Sequence, residues 1–419
     1  MDKEIYWIWL SLACTPGTDT FKKLIDKFET AENIYNQYER DIARVISPRL
    51  QEYSRLINKE LKRAEEIYSF AKSKGVGIVT YDDPRYPKTL KEISNPPVLL
   101  YYRGTFPDFN SCFPISVVGT RALSDYGRKN AFFVSRDLAL AGATIVSGMA
   151  IGIDGVALAG AISAGKPTVA VIGSGIDVCY PKQHLYLARE IVKNGCVITE
   201  YPPKTGPQRE NFPTRNRIIS ALSYATLVIE GKEKSGALIT ARYAKNQGKY
   251  VFALPGNVGN QNSEASNLLI KNGAHLFTSA EDVISVLEKE YVGKLNPFNL
   301  TRELVDMTEY LSEYKVSCVA PSDPIFNSPR PKRKAEQKEK DTGVKLESKS
   351  AVPVDAPPSG LDAKTLALYK KIPLGADVDL DALIDGEHSL KDVMQGILKL
   401  EMLRLVNMLP GNRVERKLK

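Results

Sequence analysis

The fold is decided by the stretch Ile115-Ser-Val-Val-Gly-Thr-Arg121, in which a short β-branched run ends in a glycine loop before a helical pattern. The same plan recurs along residues 113–287, where short apolar runs alternate with amphipathic segments such as 126–141 and 155–164. The runs predicted as strands are 115–118, 144–146, 168–172, 196–199, 226–229 and 250–253. Because strands that alternate with helices form parallel sheets, we predict an α/β fold with a Rossmann-like, doubly wound, mostly parallel sheet.

The segments before this sheet predict two further pieces of structure. Residues 1–75 carry apolar positions at helical spacing and end at a glycine, which predicts a small helical domain. Residues 76–112 contain two short strand patterns and are predicted as a lead-in to the core, which extends to residue 290.

The segments after the sheet differ in composition. Residues 291–360 are predicted to be a linker, which is rich in Pro and Lys from residue 320 and buries too little apolar surface to fold. Its basic run at 330–334 is interpreted as part of a solvated tether. Residues 361–419 regain helical periodicity and end in a hairpin pattern, which predicts a winged-helix-like domain.

Composition limits the class of protein. The chain has 419 residues, of which 43% are hydrophobic and 25% charged, and its net charge of +8 favours polyanionic partners. Its five cysteines form no Cys-x-x-Cys pair, so neither a disulfide framework nor a zinc site is indicated and a cytoplasmic location is predicted. The apolar stretch 5–13 is interpreted as a core helix, and no apolar run predicts a membrane span.

Glycine-rich loops follow the first three core strands. Parallel strands bring such loops to one edge of the sheet, where glycine allows close backbone approach and helix N-termini offer amide donors to an anion. A single Gly-Ser-Gly indicates tight packing as often as phosphate binding, but the repetition favours an anion site. The loop residues are Gly119, Thr120, Arg121, Ser147, Gly148, Gly152, Gly173, Ser174 and Gly175.

Several kinds of enzyme are disfavoured. The loop at Gly173 and Gly175 lacks the Gly-x-Gly-x-x-Gly pattern of dinucleotide sites, and no His lies in a glycine loop or beside a nucleophile elbow. Asp154, Asp177 and Glu200 lie near strand ends, and we interpret them as helix caps or acceptors for backbone amides. No catalytic residue, cofactor or metal ligand is therefore predicted.

A cationic segment precedes a helix that we predict to begin near Ile218. Guanidinium groups bind phosphates through paired hydrogen bonds, and an exposed aromatic ring stacks on unpaired bases. Arginines beside a phenylalanine therefore favour single-stranded over duplex nucleic acid. The alternative places the phenylalanine in the core and pairs the arginines with structural carboxylates, and for the last two arginines both interpretations stay open. The residues are Arg209, Phe212, Arg215, Asn216 and Arg217.

Together these segments resemble the DprA/Smf family, the DNA-processing protein A proteins. The resemblance covers residues 80–285, and the segments that carry it are 119–127, 147–154, 173–181, 212–223 and 234–240. It implies an extended Rossmann core, a sterile-alpha-motif-like amino-terminal domain and a winged-helix carboxyl domain. It also assigns the binding of single-stranded DNA to Arg121, the glycine loops, Arg209 and Phe212, and adds the loop residues Lys234, Ser235 and Gly236.

The resemblance implies a function as well. Such a protein binds and protects incoming single-stranded DNA, loads RecA onto it during natural transformation, forms a homodimer and meets single-strand-binding protein, without catalysis. This sequence departs from the family pattern at Leu158, where a histidine is usual, and at Ala265, where glycine is usual. The missing histidine removes a polar group that we expect near the crevice.

Two rival functions fit the sequence less well. A nucleotide-processing enzyme of the lysine-decarboxylase-like, nucleotide N-glycosidase group carries Pro-Gly-Gly-x-Gly-Thr-x-x-Glu, whereas segment 234–240 lacks the glutamate. A duplex-binding regulator requires a basic recognition helix, but segment 390–403 mixes lysines with acidic residues. Single-stranded DNA is therefore the predicted partner.

Overall fold

A nine-stranded sheet is the centre of the first of two structural units, which spans residues 1–333. The computed structural model describes residues 2–300, 307, 311, 362–372, 377–384, 390–402, 405–409 and 413–416. The strands are β1 (Gly77–Thr80), β2 (Leu99–Gly104), β3 (Phe113–Val118), β4 (Ala143–Ser147), β5 (Thr168–Val171), β6 (Cys196–Thr199), β7 (Ala225–Val228), β8 (Tyr250–Ala253) and β9 (His275–Leu276).

The strand order is β1-β2-β6-β5-β4-β3-β7-β8-β9. All pairings from β6 to β9 are parallel, and Ile115 in β3 lies opposite both Ile145 in β4 and Ala225 in β7. The predicted lead-in strands β1 and β2 join the same sheet, because β2 pairs antiparallel with β6. The prediction of a mostly parallel sheet is confirmed.

Helices cover both faces of this sheet. They are α1 (Lys3–Ala13), α2 (Thr20–Phe28), α3 (Ala31–Tyr35), α4 (Glu39–Ala43), α5 (Gln51–Ile57), α6 (Lys62–Lys74), α7 (Lys88–Lys91), α8 (Asp125–Leu140), α9 (Ile153–Ser163), α10 (Leu185–Asn194), α11 (Asn211–Leu222), α12 (Gly236–Asn246), α13 (Glu264–Lys271) and α14 (Ala280–Leu287).

Alternate side chains of each strand enter opposite cores, as the period of two in a strand requires. Val117 packs in a core that includes Phe132 of α8, whereas Val118 packs in a second core with Ile218 of α11. The first core also takes the apolar side chains of α1, so the amino-terminal helices and the sheet share one apolar cluster. Gly75 ends α6 in the left-handed conformation that glycine favours.

The point where the strand order reverses positions the candidate site. The chain runs from β3 through β4 and β5 to β6 on one side, and then returns to place β7 and β8 on the other side of β3. In open α/β sheets the ligand crevice lies at this switch, outside the carboxyl ends of the strands. The loop that follows β3, which contains Arg121, lies at the switch.

The second unit spans residues 334–419 and has a separate core. Its elements are α15 (Ala363–Lys371), β10 (Asp377–Asp379), α16 (Leu390–Met402), β11 (Val406–Leu409) and β12 (Arg413–Arg416), with antiparallel strands in the order β10-β12-β11. Helices followed by a β-hairpin are the arrangement expected of a winged helix. Most of the linker predicted for 291–360, including its basic run, lies outside the described residues, but Leu295 near its start is buried in the first core.

In the part of the chain that the structure describes, no helix combines the length and the apolar character needed to cross a bilayer.

Candidate nucleic-acid interface

The glycine loops predicted to form the site lie side by side. Gly119 to Arg121 follow β3, Ser147 to Gly152 follow the neighbouring β4, and Gly173 to Gly175 follow β5. The structure therefore brings these segments to one edge of the sheet, as the parallel pairing requires.

The loop that carries Arg121 is fixed on both sides by Glu230. The backbone oxygen of Glu230 accepts a hydrogen bond from the amide of Thr120 at 2.8 Å. Its carboxylate accepts hydrogen bonds from the hydroxyl of Ser124 and, at 3.0 Å, from the amide of Ser124. In addition, the side-chain amide of Asn262 donates to the oxygen of Ala122 at 3.0 Å. These contacts hold the backbone around Arg121 in one conformation.

Glu230 also changes the electrostatics of the expected anion site. The residue is 1% exposed, and its carboxylate lies at the N-terminus of α8, where the helix dipole favours negative charge. The expectation that this helix N-terminus offers free amides to a ligand is therefore wrong, because the protein supplies the anion itself.

The loop after β4 packs against the Arg121 loop. Gly152 has a φ of +96°, and a Cβ at this position would lie 2.3 Å from the oxygen of Thr120. The same oxygen accepts a hydrogen bond from the amide of Ile153 at 3.1 Å. Gly152 is thus required for the close approach of two loops. Ser147 is fully buried and donates to the oxygen of Val117 at 2.6 Å, so its hydroxyl joins neighbouring strands and faces no ligand.

Arg215 fills the space behind the loop after β4. It is 3% exposed and donates to the oxygen of Gly148 at 2.8 Å and to the oxygen of Val171. Burial lowers the pKa of its guanidinium to about 10, although the nearby Asp154 opposes this shift. Arg215 therefore links the ends of β4 and β5, which corrects the expectation that it contacts DNA.

Asp154 lies beside Arg215. A Cβ on Gly148 would lie 2.4 Å from the carboxylate of Asp154 and 2.6 Å from the guanidinium of Arg215. Burial raises the pKa of the Asp154 carboxyl, and the charge of Arg215 opposes the shift. The opposite charges of Asp154 and Arg215 thus partly offset the cost of burying each of them beside Gly148.

Arg217 has a structural role too. It is 1% exposed and donates to both carboxylate oxygens of Glu200, at 2.6 and 2.7 Å, and to the oxygen of Asn95 at 3.0 Å. This contact corrects two expectations. Arg217 is unavailable to DNA in this conformation, and Glu200 holds a guanidinium instead of capping a helix or accepting from backbone amides.

The loop after β5 is closed by internal hydrogen bonds. Ser174 is 1% exposed and donates to the oxygen of Val178 at 2.8 Å, while the amide of Gly175 donates to the oxygen of Thr205 at 2.9 Å. The oxygen of Gly173 accepts a hydrogen bond from the side chain of Asn211 at 3.1 Å. The expected glycine pocket is thus satisfied by the protein's own groups.

Asp177 follows this loop. Its carboxylate accepts a hydrogen bond from the amide of Lys204 at 2.7 Å, as we interpreted from the sequence.

The cationic segment folds differently from the prediction. Helix α11 begins at Asn211 instead of near Ile218, so Phe212 and Pro213 occupy its first turn, where proline is tolerated. Arg209 precedes the helix and is exposed, and Phe212 is partly exposed. Asn216 lies between the buried arginines, and its side-chain amide donates to the oxygen of Gly236 at 3.4 Å.

Two loop side chains and one from the first turn of α11 meet at the exposed edge. The guanidinium carbon of Arg121 lies 5.5 Å from the centre of the Phe212 ring, within the range of a cation–π interaction. The ring of Tyr180, which is 39% exposed, lies 5.5 Å from that of Phe212 at an angle of 45°. We call Arg121, Tyr180 and Phe212 the aromatic-arginine cluster.

Sequence reasoning missed Tyr180 in this cluster. The signal that was available is its place five residues after Gly175, in the segment that connects β5 to α10. A solvent-facing aromatic ring at the carboxyl edge of a sheet is a ligand-contact candidate in the same way as Phe212.

The loop after β7 is more open than the others. Lys234 and Gly236 are exposed, and a Cβ on Gly236 would meet no atom within 4 Å. The hydroxyl of Ser235 has no hydrogen-bond partner at the N-terminus of α12. Unlike Ser124 on α8, which accepts from the amide of Gly127, Ser235 makes no side-chain hydrogen bond to the first turn of α12.

Leu158, where the family usually has histidine, is fully buried in α9. A buried histidine does occur nearby in the fold: His184 is 9% exposed, and its Nδ1 donates to the oxygen of Met149 at 2.9 Å. This contact fixes the loop after β4 from its buried side. Within the described residues, no three His, Cys, Asp or Glu side chains are grouped as metal ligands would be.

The fold and the cluster define an open α/β protein whose carboxyl edge offers arginine and aromatic side chains to a ligand. Comparison with known proteins names the class. The family model described as DNA recombination-mediator protein A matches residues 77–288. The chain belongs to this family.

Individual relatives agree with this assignment. The chain is 32% identical to Protein Smf of Synechocystis sp. over 99% of both chains. It is 42% identical to DNA processing protein DprA of Streptococcus pneumoniae over 49% of this chain and 72% of the relative. The crystal structure of the Streptococcus pneumoniae protein has a TM-score of 0.59 at 33% identity and covers 68% of this chain and 97% of that chain.

Proposed function

We propose that this protein is a single-stranded DNA-binding recombination mediator that protects incoming DNA and loads RecA onto it during natural transformation. The observation that carries the proposal is the contact of Arg121 with Phe212 at the exposed edge of the sheet, 5.5 Å from guanidinium carbon to ring centre. Membership of the recombination-mediator family supports it.

Exposed cations account for phosphate binding in this proposal. Arg121 and Arg209 face solvent near the start of α11, and Lys234 lies in the open loop before α12. A guanidinium holds a phosphate through paired hydrogen bonds, and the free amides of a helix N-terminus add donors. The sugar-phosphate backbone of the DNA then follows the carboxyl edge of the sheet, and the protein's net charge of +8 favours the approach of DNA.

Aromatic side chains account for the preference for single strands. A ring at the surface stacks on a base only when the base is not paired within a duplex. The aromatic-arginine cluster therefore selects single-stranded DNA, whereas the phosphate contacts do not distinguish single-stranded from duplex DNA. No step of this function requires a bond to be made or broken, so the proposed protein is not an enzyme.

The proposal includes partners. RecA receives the strand, a homodimer of this chain presents it, and single-strand-binding protein is the competitor on incoming DNA. All of these meet in the cytoplasm, where reduced cysteines also fit: among the cysteines that the structure describes, Cys14, Cys112 and Cys196 are free thiols.

The binding part is tested by fluorescence anisotropy with a labelled oligothymidylate and a labelled duplex over a range of salt concentrations. We expect tighter binding of the single strand, and weaker binding with a salt slope shallower by about one unit in Arg121→Ala and Arg209→Ala. Arg40→Ala is the control, because Arg40 is an exposed arginine that lies over Tyr38 near the amino terminus. Equal affinities for all four proteins reject the proposed interface.

The loading part needs a separate assay. RecA filament formation is followed on strands coated with single-strand-binding protein, with and without the full chain. Faster filament formation supports a loader, and an unchanged rate with intact DNA binding restricts the protein to strand binding.

A further inference from the structure

Within the aromatic-arginine cluster, Tyr180 presents the ring that is most open to solvent. Its side chain is 39% exposed, whereas Phe212 is only partly exposed. The difference arises because Phe212 already has neighbours. The guanidinium of Arg121 lies over its ring at 5.5 Å, and a Cβ on Gly173 would lie 3.2 Å from its edge.

The separation of the two rings limits how a base can bind. Their centres are 5.5 Å apart and their planes are inclined by 45°. A base inserted between two rings needs two stacking distances of about 3.5 Å each, or about 7 Å in total. A base therefore stacks on the outer side of Tyr180, not between Tyr180 and Phe212.

The backbone around Tyr180 is held in place before any ligand binds. Ser174 donates to the oxygen of Val178 at 2.8 Å, and the amide of Val178 donates to the oxygen of Gly175 at 2.9 Å. On the other side, the amide of His184 donates to the oxygen of Pro181 at 3.0 Å. A ring on such a closed segment loses little conformational entropy when a base stacks on it.

We propose that Tyr180 is a base-stacking residue that takes the nucleotide next to the one bound at Arg121 and Phe212. This inference rests on the proposed function, and it adds a second base to the site. The phenyl ring supplies the contact, so the hydroxyl group is dispensable for it.

The experiment compares Tyr180→Leu and Tyr180→Phe with the wild-type chain on two oligonucleotides of equal length, one with bases and one made of abasic residues. Tyr38→Leu is the control, because Tyr38 is an exposed tyrosine, 72% exposed, that lies outside the proposed interface. We expect Tyr180→Leu to bind the base-bearing strand about tenfold more weakly and Tyr180→Phe to bind it as the wild type does. On the abasic strand all proteins should bind alike.

A second readout uses an oligonucleotide with 2-aminopurine, whose fluorescence falls when it stacks on an aromatic ring. We expect the quenching by wild-type protein to decrease in Tyr180→Leu and to remain in Tyr180→Phe. Equal weakening of Tyr180→Leu on both strands would assign the residue a structural role and overturn the inference. Undiminished binding and quenching by Tyr180→Leu would overturn it as well, while leaving the proposed function intact. Failure of the wild type to bind either strand would instead reject the proposed function.

Discussion

Arg217 donates two hydrogen bonds to Glu200, at 2.6 and 2.7 Å, and both side chains lie in the interior. The pair joins the end of β6 to α11 through residues 17 positions apart in the sequence. Because α11 also carries Phe212, this ion pair supports the helix that presents the aromatic-arginine cluster.

Removal of one partner should therefore destabilise the fold. We expect Arg217→Met to lower the free energy of unfolding by about 3–5 kcal/mol, because it leaves the Glu200 carboxylate buried without a counter-charge. Urea unfolding followed by circular dichroism measures the loss. The double variant Arg217→Met with Glu200→Met removes both charges and should regain much of the stability. A fully stable Arg217→Met protein would contradict the structural role.

Glu230 allows a prediction in which two effects have opposite signs. If only its charge mattered, Glu230→Gln would remove a negative group from a polyanion site and strengthen DNA binding. We expect weaker binding instead, and a loss of about 2 kcal/mol in unfolding free energy, because the carboxylate holds Ser124 and the Arg121 loop. Affinity and urea unfolding are measured side by side. Glu233→Gln, which removes an exposed charge from the same loop, is the control.

Gly152 and Gly236 form a second matched pair. Gly152 has a φ of +96° and faces the Thr120 oxygen, so Gly152→Ala should cost about 3 kcal/mol or more and displace the loop after β4. Gly236 begins α12 with open space around it, and Gly236→Ala should change stability by less than about 1 kcal/mol. Thermal unfolding of both variants separates the two cases, and equal effects would refute this account of the loops.

His184 should make the stability of the fold around the loop after β4 depend on pH. Burial lowers the pKa of its imidazole below the ordinary value of 6.5, although the hydrogen bond to Met149 opposes the shift. Between the folded and unfolded pKa values the unfolded chain binds more protons, so this contribution to stability is present above about pH 6.5 and is lost as the pH falls. Urea unfolding at about pH 7.5 and about pH 5.5 should show a larger loss for the wild type than for His184→Gln. Equal losses would exclude this role.

The sheet was predictable because its signal is local. Runs such as 168–172 and 250–253 alternate with helices, and their glycine-rich ends mark the carboxyl edge wherever the sheet is parallel. The structure leaves 250–253 unchanged, shortens 168–172 by one residue and extends the strands predicted at 115–118 and 144–146 by two residues each. It also adds the short β9, which is too brief to leave a pattern.

The contents of the site were less predictable because they depend on distant partners. The sequence Arg215-Asn-Arg217 does not indicate that one guanidinium reaches strand ends at Gly148 and Val171 while the other meets Glu200. The start of α11 had a local signal, since Pro213 is acceptable in the first turn of a helix that begins earlier. Glu230 lies in no motif that predicts its contacts, and the place of Tyr180 in segment 173–181 does not indicate that its ring meets Phe212.

The carboxylate of Glu230 at the N-terminus of α8 has a consequence for the small metabolites around the protein. A Rossmann enzyme leaves this position vacant for the phosphates of a nucleotide. Here the phosphate of a mononucleotide must displace the Glu230 carboxylate, which is part of the chain and always present at the site. A long DNA strand can bind through many contacts outside that position. We expect Glu230 to keep abundant cellular nucleotides from occupying the surface that we propose for a DNA strand.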